Sequence, residues 1–148
     1  MTRLKVDDSL ASVASPLGVL MAKTDRARVA LATIRTVNGA AALVAPAVFA
    51  RRMTADANAR AVASYPYRLF GIRTVILGLD LLLLKGESRE RALQQAVVIH
   101  GVDTLSAVKA GAGGEVDFKF AVTTTCISAV NTLLAALALA GARAKAGV

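Results

Sequence analysis

The sequence predicts an all-α protein: a four-helix transmembrane bundle preceded by a short amino-terminal segment that is either amphipathic or disordered. Three observations lead there. Of 148 residues, 55% are hydrophobic and the mean hydropathy is +0.56. A soluble domain of this size buries only about two thirds of the surface its chain can expose, too little interior for so much Ala, Val and Leu. Four runs approach the roughly 17 to 25 apolar residues that cross a bilayer as a helix. The cations lie in clusters between those runs, so the net charge of +8 reads as topogenic and headgroup-binding. It does not form the basic stripe interleaved with aromatics that nucleic acid selects.

Residues 1–28 form the first segment. Asp7 and Asp8 fall where a cleavable signal peptide would need an unbroken apolar core, and Pro16 follows, so no such peptide is expected. Leu10, Val13, Leu17, Val19 and Leu20 partly follow helical spacing, which suits a surface-lying helix or a disordered tail.

The transmembrane domain is expected over 29–142, with spans at about 29–50, 69–84, 92–108 and 120–142, and 143–148 as a carboxy-terminal tail. The last span carries no charge, the first carries one arginine, and the middle two are short and contain ionisable groups. Ala45, Pro46 and Arg51-Arg52 close the first span, and Lys85-Gly86-Glu87-Ser88 makes a tight turn after the second. Lys109, Gly111, Gly113 and Gly114 end the third. Connections this short imply antiparallel neighbours in one domain. Tyr65, Tyr67 and Phe70 are placed to settle at the headgroup level, and Pro66 to start the second helix.

Lys and Arg are retained on the cytoplasmic side. With the amino terminus inside, that side collects ten (Arg3, Lys5, Lys23, Arg26, Arg28, Lys85, Arg89, Arg91, Arg143, Lys145) against six outside (Arg51, Arg52, Arg60, Arg68, Lys109, Lys119). Both termini are therefore expected in the cytoplasm of a multi-pass protein of a bacterial inner membrane, the Ala, Val, Arg and Gly enrichment fitting a GC-rich genome.

Charges inside the spans need partners or water, because an uncompensated charge at the bilayer centre costs roughly 2.5 to 3.5 kcal/mol. At about 1.5 Å per residue, Arg35 and Asp80 share one depth and Arg73 and Asp103 another, so each is a candidate ion pair. Arg73 and Asp80, two turns apart, define a seam expected to face neighbouring helices. His100 stands three residues before Asp103 on a shared face. With Asn131 and Asn38 near mid-membrane, these groups could line a polar cavity. Arginines that snorkel to the interface, and ion pairs that only fix packing, account for the same residues. His100 is the single histidine and Cys126 the single cysteine, which leaves no metal or cofactor site and no disulfide to predict. Cys126 reads as a small buried residue.

Gly71 and Gly78 lie on one face of the second helix and invite close helix approach, as do Ala40, Ala41, Ala45, Ala135, Ala136 and Ala138 elsewhere. The tetrapeptide IRTV occurs at Ile34–Val37 and again at Ile72–Val75, each followed by a glycine, Gly39 and Gly78. On antiparallel helices this would be a small inverted repeat.

The stretch RLFGIRTVILGLDLLLL, Arg68 to Leu84, resembles the motif of small bacterial four-helix membrane proteins broadly termed DoxX-like. Arg68, Gly71, Arg73, Gly78 and Asp103 carry the resemblance over roughly Val29 to Ala142, and Asp80 departs from it. It implies an inner-membrane bundle with these polar residues turned inward and carries no settled activity.

With no nucleophilic triad, phosphate loop or zinc motif, the expected function is non-enzymatic: an accessory or scaffold subunit of a membrane assembly, or a binder of a lipid or quinone-like molecule. Its partners would be membrane lipids and another membrane subunit or a second copy of the chain, and not nucleic acid. The alternatives are an enzyme acting on an apolar substrate through His100 or Asp103, and a minimal transporter or proton path.

Overall fold

The computed structural model describes residues 16–147 and folds them into five helices, with no strand among the described residues. These are α1 Pro16–Val44, α2 Pro46–Met53, α3 Ala57–Leu83, α4 Gly86–Ala112 and α5 Phe118–Ala146. Leu10 and Val13, and the cations Arg3 and Lys5, lie outside the described residues. Residues 16–28, read as a separate segment, are instead the first turns of α1.

Local chemistry explains the boundaries. Ala45 precedes a proline and leaves the helical region (φ −127°, ψ 55°), because the Pro46 ring disfavours helix in the residue before it. The chain bends by 94° there, and Pro46, lacking an N–H, opens α2 at no cost in hydrogen bonding. The single span expected over 29–50 is therefore the end of a long helix followed by a short one at about right angles. Asp56 caps α3, its carboxylate accepting from the Asn58 N–H at 3.0 Å. Asp117 caps α5 by accepting from the N–H groups of Lys119 and Phe120 at 2.9 and 3.2 Å. Gly86 (φ 54°) opens α4 and Gly114 (φ 68°) follows its end, conformations that a Cβ disfavours. Pro66, expected to begin a helix, lies inside α3. The Asp56 cap and the helix-forming residues after it start the helix at Ala57, nine residues before Pro66, and Pro66 only removes one bond to the preceding turn.

The four long helices run up, down, up, down. α1 packs most extensively on α3 and α4 on α5; α1 also packs on α5, whereas α3 and α4 touch little. In order around the bundle they are therefore α3, α1, α5, α4, with the fourth side open. Close approach depends on small residues. A Cβ on Gly39 would lie 2.8 Å from the Gly71 carbonyl oxygen, and one on Gly71 would lie 2.6 Å from the Leu43 nitrogen. One on Gly78 would lie 2.5 Å from Thr36 Oγ1, and one on Gly141 would run into Thr24. Gly71 and Gly78 thus hold the packing role that their spacing predicts. Of the alanines singled out with them, Ala135 and Ala138 are buried, but Ala40, Ala41 and Ala136 face outward. On α1 the buried alanines are Ala27, Ala32 and Ala42.

The apolar core sits toward the end where the α3–α4 turn lies, around the fully buried Leu31, Leu81 and Leu93 with Ala92, Ala96, Ala135 and Ala138. Polar clasps close the same end. Arg28 donates to the Leu81 carbonyl at 2.6 Å and to Asp25 at 3.0 Å, and Arg143 bonds Glu90 at 3.0 Å. Among the described residues α5 alone is long and apolar enough to cross a membrane, and α1 with α2 passes the same test only as a bent pair.

Candidate functional site

Above that core the interior becomes polar. The antiparallel register follows from Gly39 against Gly71, Thr24 against Gly141 and Glu90 against Arg143. It brings Arg35, Thr74, His100 and Asn131 to about one level, one from each long helix. All four are buried, Arg35 at 3%, Asn131 at 4%, His100 at 7% and Thr74 at 8% exposure. Thr74 follows the small-residue stripe, three residues after Gly71 and four before Gly78, and that spacing was the signal for it; Ser128, also buried, had none.

Arg35 makes no hydrogen bond or ion pair among the described residues, and its Nε is buried without a partner, as are His100 Nε2 and Asn131 Oδ1. Asp103 and Asp80 are the carboxylates whose charge acts on Arg35, but neither comes within ion-pairing distance. His100 Nδ1 stands 3.7 Å from Asp103 Oδ2, an electrostatic contact longer than a hydrogen bond. The shared face of His100 and Asp103 is as expected.

The two expected ion pairs do not form. Arg35–Asp80 and Arg73–Asp103 are absent among the described salt bridges, which are Arg28–Asp25, Arg91–Glu87, His100–Asp103 and Arg143–Glu90. Arg73 and Asp103 match in height, but the gap between α3 and α4 that both line keeps them apart; Arg35 and Asp80 stand on the closely packed α1 and α3, but Asp80 lies off the buried face of α3 that meets α1. Arg73 and Asp80 also do not form a seam facing neighbouring helices. The buried face of α3 is Gly71, Thr74, Gly78 and Leu81, while Arg73 is exposed and Asp80 half-buried beside it.

The gap between α3 and α4 is a cleft of about 380 Å³ floored by Arg35 of α1. Pro66, Leu69, Phe70, Leu77 and Ile99 supply its apolar walls, and Arg35, Arg73, Thr74, His100 and Asp103 its polar groups. Of the predicted cluster, the cleft unites Arg35, Arg73, His100 and Asp103. Asn131 is at their level on α5, and Asp80 lies outside the lining. A mostly apolar concavity of this size with a few convergent polar groups is the usual form of a small-molecule site.

Comparison with protein families, curated proteins and solved structures finds no match for this chain.

Two further features differ from expectation. Cys126 is exposed, because the buried stripe of α5 runs through Ala121, Ser128, Asn131, Ala135, Ala138 and Gly141 and misses it. Tyr67 packs on α2, its ring centroid 5.6 Å from that of Phe49 and its hydroxyl 3.7 Å from Met53 Sδ, while Tyr65 and Phe70 are exposed.

Proposed function

We propose that the chain is a multi-pass membrane protein of a bacterial inner membrane, both termini cytoplasmic, that binds an amphiphile such as a lipid or quinone-like molecule in the α3–α4 cleft. It does so as a non-enzymatic component that packs with another membrane subunit or a second copy. The observation that carries this reading is an inverted distribution of polarity. Leu83, Val98, Leu105, Leu133 and Leu137 are 55–72% exposed, whereas an arginine, a histidine and an asparagine are buried. Water would expel such a surface and solvate such an interior; hydrocarbon does the reverse.

Small residues at the helix contacts agree with that solvent, since helices in lipid associate by close packing more than by burial of apolar area. The spans then fall within α1–α2, α3, α4 and α5, the arrangement that the resemblance to DoxX-like chains implies. The described cations favour the same orientation, with Lys23, Arg26, Arg28, Lys85, Arg89, Arg91, Arg143 and Lys145 at one end and six at the other.

The test is extraction in a gentle detergent followed by native mass measurement. A retained lipid or quinone, or a stable partner, is expected. A bare monomer, or a chain that stays in solution without detergent, overturns the reading.

A further inference from the structure

Resting on that reading, we infer that the α3–α4 cleft selects an amphiphile whose head is a singly charged oxyanion, with Arg35 and Arg73 as a two-guanidinium clamp and the tail along Pro66, Leu69, Phe70, Leu77 and Ile99. The two arginines are the second residues of the two IRTV elements. Gly39 meets the backbone of Gly71 and Val75, and Gly78 meets Thr36 and Ala32, so the elements pack antiparallel against each other. The arginines stand at heights about one helical turn, roughly 5 Å, apart, and both line the one cleft.

The donors outnumber the acceptors. Each guanidinium carries five N–H donors and accepts nothing, and neither arginine spends any on a protein partner, no hydrogen bond or salt bridge to either being present among the described residues. Buried His100 Nε2 is also unpartnered. Against these donors the lining offers one carboxylate, Asp103, beside His100 Nδ1, and the Thr74 hydroxyl. Asp80, whose charge also reaches Arg35, is outside the lining. A head with two or more oxygens and no hydrogen to donate satisfies both planar forks at once, which a neutral carbonyl or hydroxyl cannot. Asp103 limits the charge that the cleft accepts, so a monoanion fits better than a dianion. The mouth opens between two helices that barely touch, and a head held at Arg35 leaves its tail running along outward-facing Leu69 and Phe70.

The test uses the full chain in dodecyl maltoside, a detergent without an anionic head, titrated with oleate, with monoolein and with acetate at a pH where the oleate carboxyl is ionised, binding being read by native mass measurement. Oleate presents two oxygens and no hydrogen, and monoolein carries the same tail on a neutral head. Oleate is expected to bind at least tenfold tighter than monoolein. Arg73→Gln, at an exposed position outside the helix contacts, should erase that preference, and Arg73→Lys should restore part of it. Arg35→Gln should do the same if it folds, and the conclusion stands on Arg73 if it does not. Equal affinity for oleate and monoolein, or an unchanged preference in Arg73→Gln, overturns the clamp while leaving an amphiphile site intact. Binding of neither overturns the amphiphile reading itself. Acetate that competes at the same concentration as oleate overturns the role of the tail, leaving a free-oxyanion site.

Discussion

Gly39 and Gly71 face each other across the α1–α3 contact, each occupying the space that a side chain on the other would need: a Cβ on Gly39 would come within 2.8 Å of the Gly71 carbonyl oxygen, and one on Gly71 within 2.7 Å of the Gly39 carbonyl oxygen. Both obstacles are backbone, which cannot rotate aside as a side chain can. The contact lies beside Arg35 and Arg73, so the spacing of α1 and α3 also sets the separation of the two guanidiniums.

Gly71→Ala is therefore expected to lower stability by about 1 to 3 kcal/mol, the usual range for overpacking a tight contact. Gly101→Ala is the control: a Cβ there meets nothing within 4 Å, and alanine's better helix propensity should leave stability unchanged or raise it by up to about 1 kcal/mol. Thermal unfolding of both variants in one detergent checks the difference; equal midpoints would refute the close packing of α1 on α3.

Arg28 ties α1 to the end of α3 through the Leu81 carbonyl and holds Asp25 beside it. Replacing it with glutamine should cost about 1.5 to 3 kcal/mol, the range for hydrogen bonds from a charged donor. The Arg28 guanidinium also holds the Asp25 carboxyl below its ordinary value of 3.8. A group whose folded pKa is depressed stabilises the fold fully above its unfolded pKa and loses that contribution as pH falls through the folded value. Stability should thus decline as pH drops below 3.8, slightly, because the Asp25 side chain is 47% exposed and screened by solvent. Unfolding midpoints followed against pH should show this slope flattened in Asp25→Asn.

Leu133, 65% exposed and near the middle of the 29-residue α5, separates a lipid-facing surface from a water-facing one. In a bilayer Leu133→Lys adds about 2.5 to 3.5 kcal/mol to insertion, and the variant should accumulate poorly in the membrane fraction. On a surface facing water the same change would be nearly neutral or improve solubility. Membrane and soluble fractions compared by quantitative blot distinguish these outcomes.

Much of this was legible along the chain. Gly71 and Gly78 announced the buried face of α3 by their seven-residue spacing, Gly86 and Gly114 marked turns, and the heights of Arg73 and Asp103 agreed because residues advance at a constant rise along any helix. Rotation about the axis and distance between axes were not legible. Depth counting could therefore pair Arg73 with Asp103 although a cleft lies between them, and it could not tell that Cys126 misses the buried stripe of α5. Pro66 misled for a related reason, since a distant Asp56 cap outweighed the local signal of a proline.

By itself the sequence determined what depends on neighbours along the chain: helical structure, the turns, and an excess of apolar residues. Only the tertiary structure decided what depends on packing between distant segments. The glycine contacts draw α1 onto α3, α4 pairs with α5 instead, and the space left between α3 and α4 turns five scattered polar residues into the lining of one cleft. Their convergence is a property of interhelical distances, and no pattern of residue types encodes those distances locally.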